Sequence, residues 1–175
     1  MNSQTVGLEA QAMAAYKQGR LEEAIRLFES ARDSELDRAK AAELANSLSV
    51  VLLKAGRSAE ALLAVQGTAE VFSALGDATR SAQAKGNLAA ALEACGDLLA
   101  AEASYREAAE QFEKLGEHEA RLHTLNALAQ LQLRQNRPLE AATTFQAGYS
   151  ASPARGLRGR LLKQLLKLPS RLLRS

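Results

Sequence analysis

One pattern recurs four times along this chain at intervals of about 40 residues, and few folds can satisfy it. Gly19, Gly56, Gly96 and Asn136 set the register. Seven residues before each stands a small residue: Ala12, Ser49, Ala89 and Ala129. Five after each stands Ala24, Ala61, Ala101 or Ala141, and twelve after each Ala31, Thr68, Ala108 or Gly148. A larger apolar residue lies nine after each: Phe28, Val65, Tyr105 and Phe145. A fixed period of this length marks a solenoid, in which each unit covers the apolar face of the next.

The spacing fits a helical hairpin. Glycine accepts the left-handed backbone that ends a helix, and asparagine is the next best residue for that position. Small residues on facing ridges let two helices approach closely, and the bulky residue fills the gap beside them. The pattern predicts helices over 4–18 and 21–33, 35–55 and 58–75, 77–95 and 98–115, and 117–135 and 138–150. Ser34 and Ser58 are the expected N-caps of the second hairpin. Leu75-Gly76-Asp77 and Leu115-Gly116-Glu117 read as matching turns between repeats. No proline precedes Pro138, which stands at a helix-starting position.

These residues resemble the tetratricopeptide repeat family. The best match is Tyr16-Lys17-Gln18-Gly19-Arg20-Leu21-Glu22-Glu23-Ala24-Ile25 with Phe28 and Ala31, followed by Gly96-Asp97 with Ala101, Tyr105 and Ala108. The usual proline at the repeat end is missing, and the period exceeds the common 34 residues, so the resemblance is to the long-helix variety. It implies an all-α fold: a right-handed α-solenoid of about four helical hairpins, plus a C-terminal amphipathic helix. Residues 1–150 form the repeat domain, and 151–175 a linker and basic helix.

Composition agrees. Apolar residues make up 47% of the 175 and aromatics only 4%, so the core is built from Ala and Leu. The lone Cys95 excludes an internal disulfide and suggests a reducing compartment; with no visible secretory signal and no membrane-length apolar run, the expected location is cytoplasmic. Charge is uneven. Residues 150–175 hold seven bases and no acid, whereas 1–149 hold 15 bases against 20 acids, a net charge of −5.

The chain offers little to a catalytic reading. His118 and His123 are five apart, which does not place two ligands on one helix face. His118 reads as solvated surface and His123 as a polar groove residue. Cys95 has no recurring basic partner and reads as a small buried residue. The glycines are single residues at helix ends, not a phosphate loop. Glu22 and Glu23 sit at a helix start, where acids favour the positive dipole end. No enzyme, metal or cofactor is expected.

Binding is the better expectation. Counting from the turn residue, the concave positions are Glu9, Met13 and Lys17; Glu43, Asn46, Val50 and Lys54; Gln83, Asn87 and Ala90; and His123, Asn126, Gln130 and Arg134. Asn46, Asn87 and Asn126 recur as a ladder. An asparagine amide both donates and accepts, so it can hold a peptide backbone of any sequence or bond a neighbouring helix. The resemblance implies the first of these, with a peptide or helix of another protein as partner. A clamp for terminal carboxylates is not expected, because its basic positions hold Glu9, Met13, Gln83 and Asn87.

The tail is the second feature. At 100° per residue, Leu157, Leu161, Leu162, Leu165, Leu166, Leu168, Leu172 and Leu173 fall on one half of a helix. Arg160, Lys163, Lys167, Arg171 and Arg174 cluster on the other, only Arg158 falls among the leucines, and Pro169 ends or kinks the helix. Three readings stay open: a cap on the last repeat, a surface helix on anionic membrane, and a helix for a partner's groove. Nucleic acid is disfavoured, because aromatic residues for stacking are missing. The leading expectation is a non-enzymatic scaffold or adaptor. Its alternative is a peripheral membrane scaffold recruited by the tail.

Overall fold

The computed structural model describes residues 3–151, and every regular element among them is an α-helix. Four hairpins follow one another. α1 (Ser3–Lys17) pairs with α2 (Leu21–Asp33), and α3 (Arg38–Lys54) with α4 (Ser58–Val65) and α5 (Thr68–Ala74). α6 (Ala78–Ala94) pairs with α7 (Leu98–Leu115), and α8 (His118–Arg134) with α9 (Pro138–Ala151). The helices of each hairpin pack on one another, α4 and α5 both lying against α3 and α6, and each hairpin stacks on the next, which is the solenoid the repeat requires.

The turns share one geometry. Gly19, Gly56, Gly96 and Asn136 are all left-handed, with φ of 76°, 75°, 87° and 59°. The next residue's N–H then reaches back five positions. Arg20 N donates to Ala15 O, Arg57 N to Leu52 O, Asp97 N to Leu92 O and Arg137 N to Gln132 O, at 2.9–3.0 Å. Gly76 and Gly116 do the same between repeats. Each turn thereby satisfies carbonyls that a helix end leaves open.

The small residues of the register are buried at every position. All ten alanines and serines among them have 0% exposure, Thr68 has 5%, and Gly148 is buried as well. Phe28, Val65 and Tyr105 are buried beside them. Ala-on-Ala contact brings the helix axes close, so the core needs few large side chains.

The second repeat departs from the expected form. The predicted helix 58–75 is two helices, broken at Gln66-Gly67, where Gly67 has φ of 81°. The Thr68 hydroxyl donates to Val65 O at 2.7 Å across the break. Beyond it, α5 turns into the space between α3 and α6, and Phe72 is buried there with Ala42, Ala69 and Ala84.

Both predicted N-caps are also corrected. Asp37, not Ser34, caps α3, accepting from Ala39 N at 2.8 Å and Lys40 N at 3.0 Å. Those bonds hold the Asp37 carboxyl below its ordinary pKa, Lys40 N first. Ser34 instead ends α2, its hydroxyl donating to Ala31 O. Ser58 is the first residue of α4, after Arg57.

Arg57 belongs to a recurrence that the apolar register did not contain. Arg20, Arg57 and Arg137 follow their turn residues, and each pairs with a glutamate three residues on: Glu23, Glu60 and Glu140. Arg57 also reaches Glu22 in the preceding repeat at 3.2 Å, and Arg137 reaches Glu102 at 2.6 Å. Glu22 and Glu23 are therefore ion-pair partners as well as first-turn acids. In the third repeat Asp97 replaces the arginine and caps α7 directly, accepting from Ala100 N at 3.2 Å. The predicted helix of the tail, with Arg160, Lys163, Lys167, Arg171 and Arg174, lies outside the described residues.

Candidate functional site

The first helices of the repeats carry the concave positions, and the structure gathers some of them at one place. A cleft of about 190 Å³ lies where α3, α5 and α6 meet. Asn46, Val50, Gln83 and Asn87 line it, all four expected from the sequence. Glu43, Ser47, Phe72 and Arg80 complete it. Glu43 is one of the concave positions given by the repeat, whereas Phe72 and Arg80 are not. Phe72 comes from a second helix and enters only because the chain breaks at Gly67.

The asparagines are partly spent on structure. Asn46 Nδ2 donates to Ala42 O at 2.9 Å, within its own helix. Its Oδ1 accepts from Asn87 Nδ2 at 3.1 Å, joining α3 to α6. Two rungs of the expected ladder are therefore bonded to each other. The third is not part of it. Asn126 lies on α8 with its Oδ1 buried and without a hydrogen-bond partner. The three asparagines do not share one register: Asn46 and Asn126 stand ten residues before their turn residues, whereas Asn87 stands nine before and Gly86 takes the equivalent place. His123 and Gln130 are exposed on α8 and do not line this cleft.

An ion network borders the cleft. Lys40 Nζ lies 2.8 Å from Glu9 on α1 and 3.2 Å from Glu43. Burial alone would lower the Lys40 pKa, but its bonds to Glu9 and Glu43 outweigh this and hold it above the ordinary value. Glu43 also faces Arg80 at 3.7 Å. Arg80 is fixed from its other side. Asp77 Oδ1 accepts from Arg80 N at 2.9 Å and Oδ2 from Arg80 Nε at 2.6 Å, which together depress the Asp77 pKa, the backbone bond first. The guanidinium carbon of Arg80 sits 5.0 Å from the Phe72 ring centre, a cation–π contact. Arg80 is thus a preorganised cation, 41% exposed at its side chain.

A second hollow of about 480 Å³ lies at the C-terminal ends of α3, α6 and α8. Leu53, Ala90, Leu98 and Leu131 make its apolar wall, and the Glu93–Arg134 ion pair borders it. Tyr105 Oη donates to Glu93 Oε2 at 3.0 Å, and burial pushes the tyrosine pKa up to about 12. The expectation for Cys95 is corrected here. It is exposed, because it ends α6 beside the Gly96 turn instead of facing the packed ridge. Among the described residues whose side chains are placed, no group of three or more His, Cys, Asp and Glu could hold a metal, and no helix is long and apolar enough to cross a membrane.

Helix pairs of this length, stacked with alanine ridges and Schellman turns, define an α-solenoid. Residues 80–154 match the family model described as tetratricopeptide repeat, so α6 to α9 are shown to carry that repeat. The resemblance extends as a fold through the earlier hairpins. The structure of the Rap conjugation gene regulator of the plasmid pLS20, in complex with the Phr* peptide, superposes with TM-score 0.69 at 16% identity, over 79% of this chain and 40% of that one. A Rap protein complexed with competence and sporulation factor gives TM-score 0.73 at 14% identity, over 85% and 42%. A signal transduction ATPase with numerous domains and a tetratricopeptide repeat sensor, from Pyrococcus horikoshii, gives 0.74 at 16%, over 92% and 27%. The chain therefore spans less than half the length of each of these structures. Among curated proteins, none matches this sequence.

Proposed function

We propose that the protein is a non-enzymatic interaction module that holds an extended segment of a partner polypeptide in the cleft between α3, α5 and α6. The observation that carries this reading is the Asn46–Asn87 pair. The bond between them fixes both amides, while Asn87 keeps an acceptor and a second donor for a peptide backbone. Gln83 one turn earlier offers the same groups, and Val50 and Phe72 supply apolar contact. The fold neighbours support a polypeptide partner, since one holds the Phr* peptide and another competence and sporulation factor. The exposed thiol of Cys95 suits a reducing cytoplasm. No described residue favours the membrane alternative, which rests on the tail.

Selection of peptides from a displayed random library against the full chain tests this. Peptides that bind should weaken by about fivefold or more on Asn87→Ala, the value of roughly 1 kcal/mol for one hydrogen bond. Gln130→Ala, on α8 outside the cleft, should leave affinity unchanged. Binding that Asn87→Ala does not alter, or a library that yields no binder, refutes the reading.

A further inference from the structure

The hollow at the C-terminal ends of α3, α6 and α8 exists because of two alanines. Six and two residues before the turn residue, the repeats carry Met13 and Lys17, Val50 and Lys54, Ala90 and Ala94, and Gln130 and Arg134. Only the third repeat is small at both places, so α6 leaves a gap between the longer side chains of α3 and α8. Those neighbours have other partners. Lys54 lies over the Tyr16 ring of α1, 5.1 Å from its centre, and Arg134 is paired with Glu93 at the rim. Glu93 also accepts from the Tyr105 hydroxyl. With its charged border already paired, the hollow offers the apolar wall of Leu53, Ala90, Leu98 and Leu131.

The same two helices carry the Asn46–Asn87 cleft. Val50 lines that cleft and Leu53 the hollow, three residues apart on α3; Asn87 and Ala90 divide in the same way on α6. Cleft and hollow are therefore successive parts of one groove. A helical rise of ~1.5 Å per residue puts Ala90 and Ala94 about 4.5 and 10 Å along α6 from Asn87. An extended chain, at ~3.3 Å per residue, passes over the hollow about two or three residues from the one at Asn87. On the reading that a polypeptide lies at Asn87, we propose that the hollow receives a large apolar side chain of that same polypeptide, two or three residues to one side. A tethered side chain suits an open hollow. The neighbouring backbone contact already brings it there, whereas a free apolar molecule would bear the whole cost of association. Leu53, Ala90, Ala94 and Leu98 then set the sequence preference, because the asparagines accept any backbone.

Peptides selected against the full chain from a displayed random library decide it. They should share a Leu, Met or aromatic residue, and its replacement by alanine in the peptide should weaken binding at least about tenfold. Ala90→Gln with Ala94→Arg, the residues that the fourth repeat carries, should fill the hollow and weaken the same peptides to a similar degree. On that variant the alanine replacement in the peptide should cost little more, since both changes remove one contact. Ala94→Arg alone, at an exposed position, should act in the same direction, and both variants should melt with the parent. Peptides that Asn87→Ala weakens, but that share no large apolar residue or bind the filled variant as well as the parent, overturn the inference and leave the cleft reading standing. Peptides that the filled variant weakens and Asn87→Ala does not overturn both, because the hollow would then be a separate site. A library that yields no binder also overturns both.

Discussion

Two glycine-to-alanine changes form a matched pair with opposite signs. Gly67 breaks the second helix of repeat two with φ of 81°, and Gly86 lies inside α6. An added Cβ at either site meets nothing within 4 Å, so neither change is decided by crowding. Only the backbone term remains. At Gly86, alanine fits the helical backbone and reduces the freedom of the unfolded chain, stabilising by about 0.5–1 kcal/mol. At Gly67 the same gain is outweighed by the left-handed conformation, which costs an L-residue about 1–2 kcal/mol. The net effect there is a loss of about 0.5–1 kcal/mol, so the two variants should differ by about 1.5 kcal/mol. For a chain of this size that separation is about 3–6 °C in thermal midpoint. Circular dichroism melts of Gly67→Ala and Gly86→Ala against the parent read it directly. Shifts of the same sign and size would refute the reasoning. They would mean that 58–75 runs as one helix, and that Phe72 is not delivered to the cleft.

Two further outcomes follow from the core and from the inter-repeat ion pairs. Ala24→Leu and Ala101→Leu, each at a fully buried contact, should destabilise by about 1–3 kcal/mol in denaturant titrations, against no change for the exposed Glu117→Gln. Glu102 is held to a pKa of about 2, below the usual 4.5, first by the hydrogen bond from Arg137, against the opposing effect of burial, and then by Arg106. Its contribution to stability is therefore fully present above the ordinary carboxylate pKa and is lost as pH falls toward 2. Carbon NMR of the side-chain carboxyl should show this titration. Arg137→Met should move it back toward 4.5 and flatten the acid limb of the stability curve; an unmoved titration would separate Arg137 from Glu102.

The hairpins, the turns and the buried ridge were legible in the residues, because each depends on local chemistry repeated four times. A left-handed glycine and an alanine at fixed spacing state their roles without reference to the rest of the chain. Caps were less legible. Ser34 and Asp37 are both good capping residues three apart, and the choice falls to whichever the connection from α2 leaves free at the start of α3. Cys95 was misplaced because a small residue next to a turn looks the same whether its side chain points at a helix or at water.

The candidate site divides along the same line. Asn46, Val50, Gln83 and Asn87 could be named from periodicity, since a helix fixes which side chains share a face. That Asn126 does not join them turns on which neighbour each amide meets: Asn46 and Asn87 meet each other, whereas the buried Asn126 Oδ1 meets no donor. Phe72 and Arg80 were hidden for a stronger reason. Their place in the cleft depends on how α5 lies against α3 and α6 after Gly67, and a break inside a helix moves every later side chain. Repetition along the chain determined the architecture of this protein. Which polar groups were consumed by neighbours, and which were left facing the groove, depended on contacts between residues some 35–41 positions apart, and only the packed tertiary structure decided them.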